Sequence, residues 1–196
     1  MSIIKRSAAR RVRAALVTTV VAGAGIAGLI GMGGVAQAST HKVAGWVVTD
    51  TCTSVSGKIT YSPGLRKTYL RTVIAVLTGT TSGCSDIFSG ALSGTGTITA
   101  IMSGKADLAA ENFSGTFTVN WPAGSGFNPS NGTLSVTESN GLETVSGTVT
   151  SGFDTGSAFA MQYVITGNHG SGSKLHPVTS QTYTDSQSLT LSRNEG

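Results

Sequence analysis

Residues 134–149 read LSVTESNGLETVSGTV. Asn140-Gly141 at their centre is the pair favoured in two-residue type I′ turns, whose backbone twist matches that of the flanking strands. A two-residue loop makes Ser139 face Leu142, Glu138 face Glu143, Val136 face Val145 and Leu134 face Gly147. The register checks itself. It puts Leu134, Val136, Val145 and Val149 on one face and Thr133, Ser135, Thr137, Thr144, Ser146 and Thr148 on the other. A slip of one residue would break that agreement, because side chains alternate faces along a strand.

The same alternation recurs on both sides of the hairpin. Val55, Gly57, Ile59 and Tyr61 oppose Ser54, Ser56, Lys58 and Thr60; Phe113, Gly115, Phe117, Val119 and Trp121 oppose Ser114, Thr116, Thr118 and Asn120; Phe159, Met161, Tyr163 and Ile165 form a third apolar row. Weaker strand candidates lie at 44–50, 70–78, 86–92, 95–102 and 188–192. Period two with one apolar face marks antiparallel strands that cover a core on one side. A Gly-Thr-apolar-Thr/Ser phrase begins at Gly96, Gly115, Gly132 and Gly147, with spacings of 19, 17 and 15. Such irregular spacing excludes a fixed-period solenoid. After the hairpin the chain is expected to return through Asp154-Thr155-Gly156 into a strand near 157–166, which makes the second half a meander. Only residues 105–112 (KADLAAEN) have local helical character, and they predict a turn of helix within a connection. The fold class is therefore all-β: a single antiparallel β-barrel or β-sandwich of about nine strands, two architectures that both bury one face of each sheet.

The first 38 residues read as a leader. Lys5, Arg6, Arg10, Arg11 and Arg13 precede an uncharged run at 14–35, and Ala36-Gln37-Ala38 supplies the small-residue exit of a signal peptidase site, with cleavage between Ala38 and Ser39. A retained anchor is the alternative, since the run is long enough to span a bilayer. Six glycines, Thr18-Thr19 and the exit motif argue against it. Arg10-Arg11 hints at twin-arginine export, but Arg13 and Ala14 follow where that signal wants bulky apolar residues. Gly23-Ala24-Gly25-Ile26-Ala27-Gly28 matches a dinucleotide-binding pattern in letters alone. The pattern needs a helix at its glycines, and Gly31, Gly33 and Gly34 oppose one. The domains are thus a signal peptide, 1–38, and one all-β domain, 39–196, working outside the cell.

Removing the leader changes the charge. The chain holds 13 Lys and Arg against 9 Asp and Glu. Five of the basic residues are in the leader, so the remainder carries eight against nine, a net charge near −1. That excludes the basic patch a nucleic-acid partner needs and gives the mature chain no hold on a membrane. Cys52 and Cys84 are the only cysteines. An even count in an exported chain reads as a structural disulfide, and no CxxC or Cys/His cluster offers a metal shell. No cofactor motif is present.

The stretch CTSVSGKITYSPGL at 52–65, followed by LTGTTSGC at 77–84, resembles small secreted actinobacterial proteins in which a G-K-φ-T-φ-S-P-x-L strand precedes a second Cys. About a third of the mature chain carries the resemblance. It implies export, the disulfide and a β fold, and it implies no site.

The sharpest chemical candidate is the Glu138/Glu143 pair, which the hairpin register places on the apolar face at its open end, about 5 Å apart at Cβ. Retaining glycosidases hold two carboxyls at a comparable separation; the plainer expectation is a solvated hairpin tip. His169, His176 and Asp185 lie in a polar stretch, 167–188, that predicts a long loop, and long loops often carry function. Their spacing matches no metal signature. Asp107 and Glu111, four apart, would share a face of the short helix. Trp46 and Trp121 could stack on sugars, with Trp121 expected in the core or at its rim. His41 sits near the expected mature N-terminus.

These readings point to a secreted, non-catalytic β domain that binds or coats something at the cell envelope, with the partner left open between an envelope polysaccharide and a small apolar ligand. Two alternatives stand: a carrier whose barrel cavity, lined by Phe117, Val119, Phe159, Met161 and Tyr163, takes a small apolar ligand, and a carbohydrate-active enzyme using Glu138/Glu143 or the His169–His176 loop. Export makes a direct prediction. Protein recovered from the medium of an expressing host should begin at Ser39 by N-terminal sequencing and show no free thiol toward Ellman's reagent. A product that begins at Met1, or two titratable thiols, removes the basis for export.

Overall fold

The computed structural model describes residues 46–139 and 141–194. The leader, its cleavage site at Ala38 and Ser39, His41 and the Trp46 side chain lie outside the described residues. Nine strands follow in order: β1 (Trp46–Leu65), β2 (Arg71–Asp86), β3 (Gly90–Ala91), β4 (Gly96–Ala106), β5 (Glu111–Asn120), β6 (Ser130–Ser139), β7 (Leu142–Ser151), β8 (Ala158–His169) and β9 (Val178–Asn194). Every pairing is antiparallel. β1 pairs with β2 on one side and with β9 on the other, so eight strands close into an up-and-down barrel, while β3 hangs on the end of β2. The architecture is a barrel, not a sandwich.

The register of the β6–β7 hairpin is the one its sequence implies: Ser139 faces Leu142, Glu138 faces Glu143, and Val136 faces Val145. Gly141 takes a φ of +78°, as its place in the turn requires. The apolar rows all turn inward. Phe117 stacks on Phe159 with centroids 4.3 Å apart, Tyr163 leans on Tyr183 at 4.9 Å, and Tyr61 lies over Phe113 at 6.3 Å. An eight-stranded barrel is just wide enough for its own side chains, and room is found where a neighbour has none. A Cβ on Gly132 would come 2.6 Å from the Phe117 ring, so glycine there makes space for that ring. The residues expected to line a carrier's cavity are all buried and packed on one another. Thr and Ser cover the outer face of the same strands.

Two expectations fail. Residues 105–112 form no helix; they are the end of β4, a tight turn and the start of β5. The Asp107 carboxylate accepts the Ala109 and Ala110 amides at 2.8 and 3.1 Å, which satisfies the turn's donors and leaves Ala106 and Phe113 facing the core. Nor is 167–188 a long loop: β8 runs to His169 and β9 starts at Val178, leaving only 170–177 between them. β9 is hard to see because polar Ser180 and Gln181 are buried between Val178 and Tyr183, and because its register with β8 shifts near Gln187. Bulges also bend the 20-residue β1 against β9, the usual device by which long strands wrap a barrel.

Cys52 and Cys84 form the disulfide and face each other across β1 and β2. Both are buried. In the chain-entropy picture a closed loop of this length contributes about 3.5–4 kcal/mol through the unfolded state. Cys52→Ala/Cys84→Ala should therefore unfold at lower urea, with a steeper slope because the freed unfolded chain exposes more surface, and lose roughly that stability; an unaltered midpoint would show that the bond is not needed.

Candidate functional site

Closure leaves two ends. At one, the turns at 66–70, 107–110, Gly141 and 170–177 gather; this is the hairpin end. Here Glu138 and Glu143 sit side by side on β6 and β7. Asn112 faces Thr137, so carrying the β5–β6 register one residue further sets Glu111 beside Glu138. Three glutamates thus occupy one row on three neighbouring strands, spaced by the roughly 4.8 Å between strands. Glu143 is only 3 % exposed and its Oε2 has no hydrogen-bond partner. The solvated tip that the sequence suggests is therefore not what forms at Glu143. Glu138 accepts the Gly141 amide at 2.6 Å, and the Tyr61 hydroxyl lies 3.2 Å from Glu111 Oε1 and 2.5 Å from Gln181 Oε1. Burial, then the Glu111 and Glu138 charges, push Glu143 up to about 8. Burial likewise lifts Glu111 to about 7, against the Tyr61 hydrogen bond and with the help of Glu138 and Asp107. The Tyr61 and Tyr163 phenols are raised above their ordinary range, first by burial and then by these carboxylates.

Glu111 is thus the member that sequence reading misassigned. A helix would have paired it with Asp107; the strand pairs it with Glu138. The histidines do not assemble. His169 is exposed at the end of β8 opposite Ser180, Asp185 lies opposite Tyr163 six residues back along β8, and His176 is exposed in the 170–177 turn. Among the described residues no three Asp, Glu, His or Cys groups converge tightly enough to hold a metal ion.

The other end carries an open groove of about 490 Å³, lined by Asp86, Phe88, Gly126, Phe127, Asn128, Gly152, Phe153, Asp154 and Arg193. Its walls come from two loops with the same phrase: Ser125-Gly126-Phe127-Asn128 between β5 and β6, and Ser151-Gly152-Phe153-Asp154 after β7. Each glycine has a positive φ, +78° and +88°. The two phenylalanines stack face to face at 3.9 Å, and Trp121 meets both edge-on from below. Trp121 is buried, its indole N–H donating to Ser130 Oγ at 3.0 Å, while Ser130 donates to the Phe153 carbonyl at 2.7 Å. The tryptophan is the anvil, and the phenylalanines are the surface. Phe88, 88 % exposed, stands in the turn beyond β2.

The groove's charged groups are held in place. Arg193 donates to Asp154 Oδ1 at 2.6 Å and Thr49 donates to Asp154 Oδ2. Asp154 itself sits at a φ of +59°, a left-handed conformation that Asp tolerates better than most residues. Asp86 Oδ1 accepts the Phe88 and Ser89 amides and the Ser89 hydroxyl, at 2.9, 2.6 and 2.5 Å. Burial works against charge on Asp86, yet these bonds outweigh it and lower its pKa. Behind them Asp50, 1 % exposed and facing Asp86 across β1 and β2, has neither oxygen bonded. Burial and the neighbouring Asp154 carboxyl push it up to about 8. The repeated Ser-Gly-Phe-Asn/Asp phrase was the one sequence signal that could have located this groove.

Comparison with protein-family models, curated proteins and solved structures finds no match for the chain.

The raised carboxyls give a signed prediction. A group that binds its proton more tightly when folded adds stability below its unfolded pKa and loses it as pH rises through the folded value. For Glu143 that window runs from 4.5 to about 8. Glu143→Gln should accordingly exceed the parent in stability by about 1–3 kcal/mol near pH 9, the cost of an unsatisfied buried group, with little difference below pH 4.5. Urea midpoints across pH decide it, and a gap that widens toward acid contradicts the assignment.

Proposed function

We propose that the protein is an exported, non-catalytic binding barrel that holds a saccharide of the cell envelope in the groove between its two Ser-Gly-Phe loops. The observation that carries this reading is the groove's composition. Flat phenylalanine surface lies next to three planar polar groups, the Asn128 amide, the Asp154 carboxylate and the Arg193 guanidinium. A pyranose offers the matching pair of features, an apolar C–H face and a rim of hydroxyls able to donate and accept. A concave apolar wall with a few fixed polar groups is the usual form of a small-molecule site. Phe88, exposed across the groove, adds a second wall.

Binding fits better than catalysis because the groove's carboxylates are already engaged. Asp154 is tied to Arg193 and Thr49, Asp86 to Ser89 and Phe88, and Asp50 is walled off from solvent. A general acid or base must reach the proton it moves, and none of these is placed to do so. A carrier needs interior room that the stacked Phe117 and Phe159 already fill. The leader expected from the sequence supports the reading too, since export would take the domain to where polysaccharide is.

Purified protein should sediment with at least one of peptidoglycan, chitin, cellulose or arabinogalactan without releasing reducing ends. Phe88→Ala should weaken that binding about three- to tenfold, the usual worth of an aromatic contact, and Asn128→Ala should weaken it as well. Retention by none of the four, or retention indifferent to both substitutions, would defeat the proposal. Release of reducing ends would point instead to an enzyme.

A further inference from the structure

We infer that the opposite, hairpin end of the barrel is a second and separate site, which takes a primary ammonium group, as on an aliphatic amine or polyamine, among Glu111, Glu138 and Glu143. Nothing in this inference depends on the groove or on a saccharide.

The row itself is the first ground. Like charges directly opposite one another on neighbouring strands destabilise a sheet, and here three carboxyls stand in succession on β5, β6 and β7. No Lys or Arg lies within ion-pair distance of any of them among the described residues. Arg71 starts β2 opposite Ala106, which in turn faces Glu111, but its guanidinium donates to the Gly64 carbonyl. Arg66 is turned over the Tyr69 ring, 5.6 Å from its centroid. Asp107, in the turn that leads to Glu111, adds a further negative group.

The second ground is Glu143 Oε2, buried at the barrel mouth with no hydrogen-bond partner. No neighbouring donor is bonded to it, although Tyr163 stands directly opposite Glu143. Tyr163 packs on Tyr183, the Tyr61 hydroxyl is engaged with Glu111 and Gln181, and the Gln181 amide donates to Asn168 at 2.8 Å. An unmet buried acceptor is costly, and a donor arriving from outside removes the cost. An ammonium group suits it: three N–H donors and one positive charge answer a row of carboxyls that has no cation beside it among the described residues. A bare divalent ion is less well served, because the oxygens do not converge on one point.

Calorimetric titration of the purified protein with cadaverine tests this, with 1,5-pentanediol and calcium chloride as controls. Cadaverine should bind saturably while pentanediol and calcium do not, and its affinity should rise about tenfold between about pH 6 and about pH 9 as the carboxyls ionise. Glu143→Gln and Glu111→Gln should each weaken it about tenfold, in the range of lost charge-assisted hydrogen bonds, whereas Phe88→Ala leaves it unchanged. Should either Gln variant fail to fold, Glu138→Gln at the half-exposed rim and cadaverine-induced amide shifts at residues 111, 138 and 143 take its place. Absence of cadaverine binding near pH 9, equal binding of pentanediol or calcium, or indifference to the glutamine substitutions overturns the inference.

Discussion

β1 hydrogen-bonds to β2 along one side and to β9 along the other, and this double pairing of the first strand is the constraint on which the remaining features rest. A sheet that closes has no edge to protect, so the chain can afford long strands with no Pro or charge ladder at a border. Closure also makes the registers interdependent: a slip in any one pair would have to be absorbed around the ring. The bulges in β1 and β9 take up the mismatch. With eight strands the enclosed space is about what side chains fill, and the stacked aromatics fill it. Chemistry is therefore displaced to the ends, where strands stop and loops begin.

Local periodicity carries part of this and cannot carry the rest. The β6–β7 hairpin was readable to the residue because its turn chemistry and its alternation agree. The choice between barrel and sandwich was not, because it depends on whether β1 meets β9, over a hundred residues apart, and no local pattern reports that. Only the end of β9, at 188–192, shows in the sequence; its first part is hidden because a barrel rim tolerates buried Ser180 and Gln181, which break the apolar alternation that marks a strand. Residues 105–112 misled in the opposite direction: Ala and Glu favour helix locally, and the strands on either side overrode them. The pair at Glu138 and Glu143 was visible from the hairpin, while Glu111 needed the neighbouring register. In the groove, the cue was a four-residue phrase used twice in loops, where strand periodicity has nothing to say.

Both ends pair acidic groups with aromatic rings, buried phenols at one and partly exposed phenylalanines at the other, and both keep a carboxyl with an unbonded oxygen. Such groups lower stability, and the sequence could have placed Leu or Thr there, as it does elsewhere in the barrel. They stand where the sheet opens to solvent, and not in the middle of the strands, and it is there that the two proposed sites lie. A closed barrel with a packed interior has the stability to carry them.

The disulfide belongs to the same reasoning. Asp50 faces Asp86, and two residues further from the barrel mouth Cys52 faces Cys84. Two carboxyls opposed across a strand pair push the strands apart when both ionise, which for this pair waits on Asp50 and a pH above about 8, and the β1–β9 register beside them is already interrupted by bulges between Val48 and Asp50 and between Cys52 and Ser56. A covalent link one step inward from the opposed pair limits how far that repulsion can open the end of the hairpin. It thereby keeps Asp86, and through it the Phe88 turn, in position at the groove that Phe127 and Phe153 also line. On this view the bond's stabilisation of the whole domain, which acts through the unfolded chain, is accompanied by a local effect in the folded one. It holds one wall of the groove against the electrostatic cost of the residues that give the groove its character.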